Sequence, residues 1–523
     1  IVIMSLLGLD CVNCSLMGLL TNCSTGGMPI VAPPFSAPSM EALYEVGSLV
    51  PFHKSSSSNA KNSSNASGGN VSKSEVLLHE VYELDEKPLG KGSYGEVWRA
   101  THRLTGARRA IKTVSKHQYQ KQSVSALFAR REFEILRQLD HPNIVRLYEA
   151  FEDAESLHFV LELLEGGDLL ERVANPAEHV PEKEAAALLQ QMLSAIQHLH
   201  VHGVVHRDVK PENFLFTRKE PKHEPSTLLK LIDFGLSRRL SYHTGATLSP
   251  KIGTMEYMAP EAHNVVPEMH ADRLDMWSLG VVLHTMLTGH FPSARLAKEP
   301  PEKYFQAPYW NQFSRNAKDI LTRLLHFQAS ERINTAVALR HPFLPVLEDD
   351  QDMVSGIPDA IRSYAVLPGL RRLVLVAAAR EVDDRDLIDV RQIFQKLVLE
   401  CDGAITRLSL ECVACMAGTV GAVAAGLMDC FAAIDTDGSG TIDWTELVAA
   451  ALCTSGALVR TNIDGDSNFE GATGNAEADG EDACWRAFDL LRHGNGAVSC
   501  EAPLAYAHAS QSANGKKLAR QWY

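Results

Sequence analysis

Three glycines follow one another at a spacing typical of loops that bind phosphate groups. Gly90, Gly92 and Gly95 form, with Val97, the pattern GxGxxGxV. Because glycine has no side chain, the backbone amides of such a loop can close over the phosphates of a nucleotide. Glycine-rich turns are common, so the pattern indicates nucleotide binding only if further polar residues follow at matching positions.

A lysine and a glutamate come next along the chain. Lys112 lies in the following strand pattern, where its ammonium group can hold the α and β phosphates if a helix carboxylate positions it. Glu132 stands in a helical stretch and is predicted to be that carboxylate. Glu134 is the alternative, although two positions along a helix place it on another face.

A short polar segment carries the remaining groups that phosphoryl transfer needs. Asp208 can orient and deprotonate a hydroxyl group, Lys210 can contact the γ-phosphate, and Asn213 can bind magnesium. Asp233, in an Asp-Phe-Gly sequence, adds a second magnesium ligand. Each residue alone could be an ordinary loop or surface residue. Their order along one chain predicts transfer of a phosphoryl group from ATP with Mg²⁺.

In these motifs the sequence resembles the eukaryotic protein kinases. The similarity continues through Ala259–Glu261, Asp275–Gly280 and Arg332. It implies a buried ion pair between Glu261 and Arg332, and it implies that Asp275 anchors the catalytic loop. Lys210 and the pair Gly253-Thr254 are similar to serine/threonine rather than tyrosine kinases.

The resemblance also implies a set of ATP-binding residues. They are Leu89, Gly90, Gly92, Gly95, Val97, Ala110, Lys112, Glu162, Leu164 and Leu215, with Leu161–Leu164 as the adenine-binding hinge. Asp168 and Glu212 occupy positions that resemble those that recognise basic residues of the substrate in related kinases, but both could equally be nucleotide or structural contacts. The long segment between Asn213 and Asp233 departs from the family and is expected to extend a surface hairpin.

A second motif carries oxygen atoms at the spacing of a calcium-binding EF-hand loop. The expected ligands are Asp435, Asp437, Ser439, Thr441, Asp443 and Glu446. Thr441 would bind through its carbonyl oxygen, Asp443 through water and Glu446 through both carboxylate oxygens. Gly440 stands at the sharp turn of the loop, and Ile442 follows two residues later.

Residues 398–409 retain the outline of a second such loop. Asp402, Gly403 and Ile405 stand at the corresponding positions, but Val398 and Ser409 replace the end ligands. We expect this segment to fold as a partner of 435–446 without binding calcium well. A shortened remnant follows at Phe488–Glu501, and the acidic stretch 464–466 is interpreted as part of an insertion at 455–482.

A kinase joined through a junction to EF-hands resembles the calcium-dependent protein kinases of plants and protists, over residues 80–500. The chain has fewer intact EF-hands than that family. In the family the junction contains an autoinhibitory helix, and here an apolar helical face would comprise Leu370, Leu373, Val374 and Ala377, beside Arg371 and Arg372. The resemblance implies that this segment blocks the cleft at low calcium and that filled EF-hands capture it. The alternative is an ordinary packing helix.

The expected fold class is an α+β bilobal protein kinase fold followed by an all-α, calmodulin-like EF-hand domain. We expect a disordered extension and linker at 1–79 and a protein kinase domain at 80–343. An autoinhibitory junction at 344–386 and a degenerate EF-hand domain at 387–510 complete the chain. The linker prediction rests on the Ser/Asn/Gly-rich stretch 53–74, which has almost nothing to bury.

Composition limits the other functions that the chain could have. A formal net charge of −14 over 523 residues argues against a general nucleic-acid or membrane-surface binder. None of the ten cysteines lies within residues 80–343, and this distribution indicates reduced thiols in a cytosolic protein rather than a disulfide framework. The pairs Cys11/Cys14 and Cys412/Cys415 have no convincing further zinc ligands. The apolar first 20 residues lack a basic leader and fit a signal peptide or a membrane span poorly.

The expected location is therefore the cytoplasm, and the expected partners are protein substrates of a monomer whose EF-hands contact its own junction. Membrane association would follow only if translation began at Met17 and Gly18 and Cys23 were acylated. The unmodified alternative is favoured because Asn22 departs from the preferred Ser or Thr. Two rival functions remain: a kinase whose EF-hand region serves only docking or structure, and a non-catalytic calcium-binding adaptor.

Overall fold

The computed structural model of the chain describes residues 50–54, 77–92, 95–116, 127–173, 179–219, 228–240, 247–248, 252–264, 266–267, 270–293, 295–296, 300–346, 357–384, 386–416 and 418–454. All of them belong to one of the chain's two compact units, which spans Ser48–Asn468. None of the helices in these ranges combines the length and the apolar character that crossing a bilayer requires.

Some residues singled out from the sequence lie outside these ranges. They are the acylation candidates Gly18 and Cys23, the insertion 455–482 with its acidic stretch, and the remnant Phe488–Glu501. What was expected of them stays a prediction.

A six-stranded sheet forms the smaller lobe. Its strands are β1 Phe52–Lys54, β2 Tyr82–Gly92, β3 Gly95–His102, β4 Arg108–Ser115, β5 Leu147–Glu152 and β6 Ser156–Glu162. Their order is β1-β5-β6-β4-β3-β2, and β1 runs parallel to β5 whereas all other neighbours are antiparallel. Helix α1 is Leu78–Val81, and helix α2, Leu127–Leu136, packs Phe133 against Phe159 and Val114 on one face of the sheet.

The prediction of disorder throughout 1–79 is wrong at two places. Residues 52–54 form strand β1, and helix α1 begins at Leu78. The reason for β1 is that Val50 and Phe52 pack against the main hydrophobic core, so the segment has apolar area to bury although its neighbours in sequence do not.

A helical lobe follows. Its helices are α3 Leu169–Val173, α4 Glu182–Val201, α5 Asp272–Thr288, α6 Pro301–Tyr304, α7 Arg315–Leu324 and α8 Thr335–Leu339. Short strands lie between them: β7 Val204–Val205, β8 Phe214–Phe216, β9 Leu229–Leu231, β10 Arg238–Arg239, β11 Thr247–Leu248 and β12 Val266–Pro267. Helix α5 is apolar on nearly every side and is buried, and it ends at Gly289, whose left-handed φ of 72° glycine adopts without strain.

The described part of the chain after residue 356 is helical. It comprises α9 Ile357–Ala365, α10 Gly369–Ala379, α11 Ile388–Glu400, α12 Arg407–Val413, α13 Thr419–Ile434 and α14 Trp444–Ala451. One buried core joins Ile361 and Val376 to Leu397 and Leu447. The boundary expected between 386 and 387 therefore does not separate two structural units, because residues on both sides of it share this core.

Candidate functional site

The three glycines of the phosphate-loop motif lie on two neighbouring strands, with Gly90 and Gly92 at the end of β2 and Gly95 at the start of β3. Gly95 has a φ of +156°, and a Cβ atom there would lie 1.8 Å from the carbonyl oxygen of Thr113 on β4. No larger residue fits this position. At Gly90, by contrast, a Cβ would meet nothing within 4 Å, so that backbone faces open space. Gly90 thus leaves room for a ligand, whereas Gly95 permits close strand pairing.

Lys112 is held between two carboxylates. Its Nζ atom lies 2.7 Å from Oε1 of Glu132 on α2 and 2.8 Å from Oδ1 of Asp233. Burial alone would lower the pKa of Lys112, but these two carboxylates outweigh it and raise the pKa. The ammonium group favours the charged form of Asp233 against burial and lowers its pKa to about 2. The predicted partner Glu132, rather than Glu134, reaches the lysine.

Asp208 is held by a network of hydrogen bonds in the catalytic loop. Its Oδ1 accepts bonds from the backbone N–H of Thr254 at 2.9 Å and from the Thr254 hydroxyl at 2.7 Å. Its Oδ2 lies 2.8 Å from Nζ of Lys210, which also donates to the Thr254 hydroxyl at 2.9 Å. Burial opposes ionisation of Asp208, but the bonds from Lys210 and Thr254 prevail and lower its pKa.

Asn213 is tied to the same carboxylate-bearing residue. Its Nδ2 donates to the carbonyl oxygen of Asp208 at 2.7 Å and to Oδ2 at 3.3 Å. This bonding leaves the amide oxygen of Asn213 on the other side of the group. Asn213 and Asp233 supply oxygen atoms, the ligand type that Mg²⁺ prefers, so these residues fit the magnesium site that the sequence predicts.

Asp275 of helix α5 fixes the backbone of the catalytic loop. Its two carboxylate oxygens accept the backbone N–H groups of His206 at 2.9 Å and of Arg207 at 2.8 Å. Arg207 and Asp233 both have left-handed backbone conformations, with φ values of 70° and 59°. Such conformations cost free energy for residues other than glycine, and the surrounding hydrogen bonds supply the constraint that maintains them.

The ion pair expected between Glu261 and Arg332 is present. The Arg332 side chain is fully buried, with Nη1 2.6 Å and Nη2 3.1 Å from the two oxygens of Glu261. It also donates to the carbonyl oxygens of Arg273 and His326. Because each guanidinium nitrogen of Arg332 is paired, this bidentate ion pair fixes the segment 259–261 to the helical lobe.

The hinge lies between β6 and α3. Leu161 and Leu164 are half-buried against the core, and the buried Ala110 of β4 stands opposite Leu161 in the sheet register. The Glu162 side chain, however, bonds to Nζ of Lys230 at 2.9 Å. Its predicted ATP contact can therefore involve only its backbone. Of the other predicted ATP-binding residues, Val97 and Leu215 are half-buried, and Leu89 is 47% exposed.

Asp168 and Glu212 differ in their surroundings. Oδ1 of Asp168 accepts the backbone N–H of Glu171 at 2.9 Å, which caps the first turn of α3 and supports the structural alternative for this residue. Glu212 has a buried oxygen, Oε2, that has no hydrogen-bond partner within the described ranges. Glu212 thus retains an acceptor for a cationic group.

A second cluster of carboxylates lies in the loop between α13 and α14. Oxygen atoms of Asp435, Asp437 and Glu446 lie within 4.8 Å of one another. Oδ1 of Asp435 is buried and has no hydrogen-bond partner in the described part of the chain. Buried acceptors without a donor are costly, so this atom fits a cation ligand. Of the other predicted ligands, Ser439 donates its hydroxyl to the Thr441 carbonyl at 3.1 Å.

Glu446 is buried although it carries the last carboxylate of this loop. Its Oε1 accepts the backbone N–H of Thr436 at 2.6 Å, and Oε2 accepts that of Asp443 at 3.2 Å. Burial nevertheless dominates and raises the pKa of Glu446 to about 7. Burial, with the neighbouring carboxylates, also raises the pKa of Asp443. Acidic groups crowded in this way are stabilised by a cation, and the residues fit calcium.

The degenerate loop lies directly beside this cluster. Ile442 donates its backbone N–H to the carbonyl oxygen of Ile405 at 2.9 Å, and Thr406 pairs with Thr441 in an antiparallel bridge. The carboxylate of Asp402, which stands where a calcium ligand would, instead bonds to Arg340 at 2.8 Å. Cys412 and Cys415 are exposed free thiols.

The two helices of the junction, α9 and α10, pack onto the helices that flank the loops 398–409 and 435–446, which together form the loop pair. Ile361 on α9 is buried in the shared core, as are Val376 and Ala379 on α10. Arg372 donates to the carbonyl oxygen of Ala433 at 2.6 Å. The predicted apolar face is partly correct: Ala377 is buried, but Leu373 and Val374 are only half-buried.

The segment after α10 contacts both lobes of the catalytic domain. Glu381 binds Arg109 on β4 at 2.7 Å, and Asp384 lies 3.1 Å from Lys230 on β9. Arg380 donates to the carbonyl oxygen of Leu147. Because side chains alternate along a strand, Arg109 and Lys112 lie on opposite faces of β4. This segment therefore lies on the face of the sheet away from Lys112. No sequence pattern predicts these contacts, because each residue alone is typical of a charged surface position.

The loop pair also contacts the catalytic domain near the end of α2. The backbone N–H of Thr445 on α14 donates to Oδ2 of Asp140 at 2.7 Å. The ring of His141 lies 5.6 Å from that of Phe394 on α11 and 5.1 Å from that of His198 on α4. Burial, with a smaller contribution from Lys230, lowers the pKa of His141 to about 3.

This buried histidine predicts that acid destabilises the protein. Below its ordinary pKa of 6.5 the unfolded chain binds a proton at His141 that the folded chain rejects. The free energy of unfolding should then fall between pH 6.5 and about 3, by up to ~1.4 kcal/mol per pH unit. The melting temperature, measured from pH 7.5 to pH 5, should fall less in His141→Gln than in the wild type. The exposed His79→Gln is the control, and equal slopes in all three proteins would contradict the prediction.

Comparison with known proteins agrees with the geometry of the catalytic site. Residues 82–344 match the model of the protein kinase domain. Calcium-dependent protein kinase 3 of Plasmodium berghei is 34% identical over 395 residues, which are 72% of this chain and 67% of that protein. The chain belongs to the calcium-dependent protein kinase family. Calcium-dependent protein kinase 20 of Oryza sativa subsp. japonica is 32% identical over 71% of this chain and 67% of its own length.

Calcium-dependent protein kinase 5 of Plasmodium falciparum is 31% identical over 388 residues, 72% of this chain and 65% of that protein. The chain thus spans about two thirds of the length of these relatives. The predictions of family, of a protein kinase fold and of serine/threonine kinase activity are confirmed. The kinase domain implies ATP and Mg²⁺ as cofactors and proteins as substrates.

Proposed function

We propose that this chain is a serine/threonine protein kinase in which calcium, bound in the loop 435–446, controls phosphoryl transfer to protein hydroxyl groups. The observation that carries the catalytic half is the contact of Lys112 with both Glu132 and Asp233. Kinase catalysis needs the lysine–glutamate pair and the magnesium-binding aspartate in place together, because the lysine and the magnesium ion act on the same phosphates.

The residues of the cleft divide the work of transfer. ATP with Mg²⁺ supplies the phosphoryl group and a cation that offsets its charge. Lys112 is fixed by Glu132 and so presents a positive charge towards the glycine loop. Asp208 is ionised at neutral pH, because its pKa is lowered, and can accept a hydrogen bond from the attacking hydroxyl group and later its proton.

Lys210 and Thr254 keep Asp208 in place for that step. Both bond to the Asp208 carboxylate, so its oxygens do not rotate away from the substrate. Lys210 can then move its ammonium group towards the transferred phosphoryl group, where it offsets negative charge. The backbone of the loop is fixed by Asp275, so this arrangement is formed before substrate binds.

The calcium half of the proposal rests on the carboxylate cluster. Asp435, Asp437 and Glu446 converge, and one oxygen of Asp435 has no partner among the described residues. We propose the EF-hand assignment for this loop, with 398–409 as a partner that does not bind calcium well, because Val398 and Ser409 replace its end ligands and Asp402 bonds to Arg340. The pairing between Ile405 and Ile442 supports it.

We further propose that calcium controls where the junction lies. In this structure α9 and α10 are packed onto the loop pair, and the segment 380–384 lies on the sheet face away from Lys112. We propose that this arrangement corresponds to the captured state that the autoinhibition hypothesis expects at high calcium. Loss of the cation leaves buried carboxylates uncompensated, which favours release of the junction.

A calcium titration of peptide phosphorylation tests both halves at once. We expect activity to rise with free calcium to a plateau and to be lost in a chelator, by at least about tenfold, the change that a coupling free energy of ~1.4 kcal/mol produces. Equal activity with calcium and with chelator would favour a region that serves only docking or structure. No activity under either condition would favour the calcium-binding adaptor.

A further inference from the structure

Strand β1 adds a parallel edge strand to the sheet of the smaller lobe. Phe52 is in register with Ala150, His53 with Phe151 and Lys54 with Glu152. The backbone N–H of Ala150 donates to the carbonyl oxygen of Pro51 at 3.0 Å. The other five strands form a continuous antiparallel sheet without it. The short strand is therefore an addition to the catalytic fold.

The two faces of β1 make different contacts. On one face, the ring of Phe52 lies 5.1 Å from that of Phe133 on helix α2, with the planes tilted by 56°. On the other face, Nε2 of His53 lies 3.1 Å from Oε2 of Glu149, and its ring stacks on Phe151 at 4.6 Å. These alternating contacts fix the register of β1, because a shift by one residue would exchange Phe52 and His53.

The contact on α2 lies next to a residue of the catalytic site. Phe133 directly follows Glu132, whose carboxylate holds Lys112. Phe133 is itself buried and lies 6.3 Å from Phe159, which stands opposite Lys112 in the sheet register. A helix of ten residues that carries one required carboxylate is sensitive to such contacts, because a small rotation would withdraw Glu132 from Lys112.

We propose that β1 is a positioning segment for helix α2, in which Phe52 is the positioning residue that favours the inward arrangement of Glu132. Phe52 gains its apolar contact only when α2 lies against the sheet, so it shifts the population of α2 towards that position. Because β1 is covalently connected to the catalytic domain through the same chain, the segment stays at high local concentration beside the sheet. The inference rests on the proposed kinase function.

The test uses the full-length protein with calcium present. Phe52→Ala should lower kcat for a peptide substrate by about tenfold, with the peptide KM little changed, because only the position of a transfer residue is affected. Amide hydrogen exchange in α2 should become faster. Phe52→Leu should retain most of kcat. Leu84→Ala, at a 43% exposed position of β2, is the matched control and should behave as the wild type.

A peptide of residues 48–54, added to Phe52→Ala, separates positioning from simple stabilisation. The peptide should restore kcat, and the same peptide with Ala in place of Phe52 should not. A lowered melting temperature with unchanged kcat, a loss of kcat without faster exchange in α2, or equal effects of the two peptides would each overturn the proposal. An inactive wild-type protein would instead contradict the proposed function.

Discussion

Asp208→Asn should abolish phosphoryl transfer and leave the fold intact. The amide keeps the shape of the carboxylate, but it cannot take the proton of the attacking hydroxyl group. Loss of a positioned general base costs up to about 10⁴-fold in rate, and we expect kcat to fall at least a thousandfold. Steady-state kinetics with a peptide substrate measure the rate, and the melting temperature checks the fold.

Lys112→Met should have a similar effect for another reason. It removes the positive charge between Glu132 and Asp233 and leaves these two carboxylates facing each other. The affinity for ATP should fall by a smaller factor than kcat, because the lysine acts on the phosphates during transfer. Asp85→Asn, at an exposed position of β2, is the control for both variants. Wild-type rates in Asp208→Asn or Lys112→Met would contradict the catalytic assignment.

The sequence motifs grouped residues that the structure brings together in the cleft, because these motifs combine residue type with order. Lys112, Asp208 and Asp233 come from three separate elements, and the structure brings Lys112 and Asp233 within 2.8 Å. Neither hydrophobic periodicity nor composition indicates such a contact. The motifs do so through the resemblance, which relates positions far apart in sequence to one common site.

The contacts between the catalytic domain and the helices after residue 356 could not be predicted in the same way. Glu381, Asp384 and Asp140 are single acidic residues, and an acidic residue in a sequence most often lies on a solvated surface. Their partners Arg109 and Lys230 are fixed only when the chain folds, because each pair joins segments distant in sequence. No local pattern records such a pairing.

Strand β1 was missed for a related reason. The composition of the flanking Ser/Asn/Gly-rich stretch predicts little to bury, but a window average conceals the two apolar residues, Val50 and Phe52, that precede it. Val50 and Phe52 gain their burial from Phe133 and the sheet edge, which belong to a later part of the chain. Tertiary contacts of this kind override local composition.

Glu446→Gln should remove most of the calcium response. Glu446 is the last predicted ligand of the loop 435–446, where it is expected to bind with both oxygens, whereas a neutral amide supplies only one. Val398 and Ser409 cannot replace the end ligands of the neighbouring loop, whose Asp402 already pairs with Arg340. Activity at saturating calcium should fall to the level measured with chelator in the wild type.

Calorimetry gives an independent measure of the same prediction. The wild-type protein should show about one strong calcium site, and Glu446→Gln should show none. The ring of Trp444 is buried 5.4 Å from that of Phe394, inside the loop region, so its fluorescence should change on calcium binding in the wild type alone. Glu411→Gln, on the exposed face of α12, is the matched control and should keep both the site and the activation.

Two results would show that calcium acts elsewhere. The first is undiminished activation of Glu446→Gln. Calcium would then act outside the cluster of Asp435, Asp437 and Glu446, which is the one group of three acidic residues at ligand spacing among the described residues. The second is two or more tight sites in the wild-type protein, which would mean that the degenerate loops also bind. If calcium acts through the single loop 435–446, the 2.7 Å hydrogen bond from the backbone N–H of Thr445 to Oδ2 of Asp140 is a contact that joins this region to the catalytic domain.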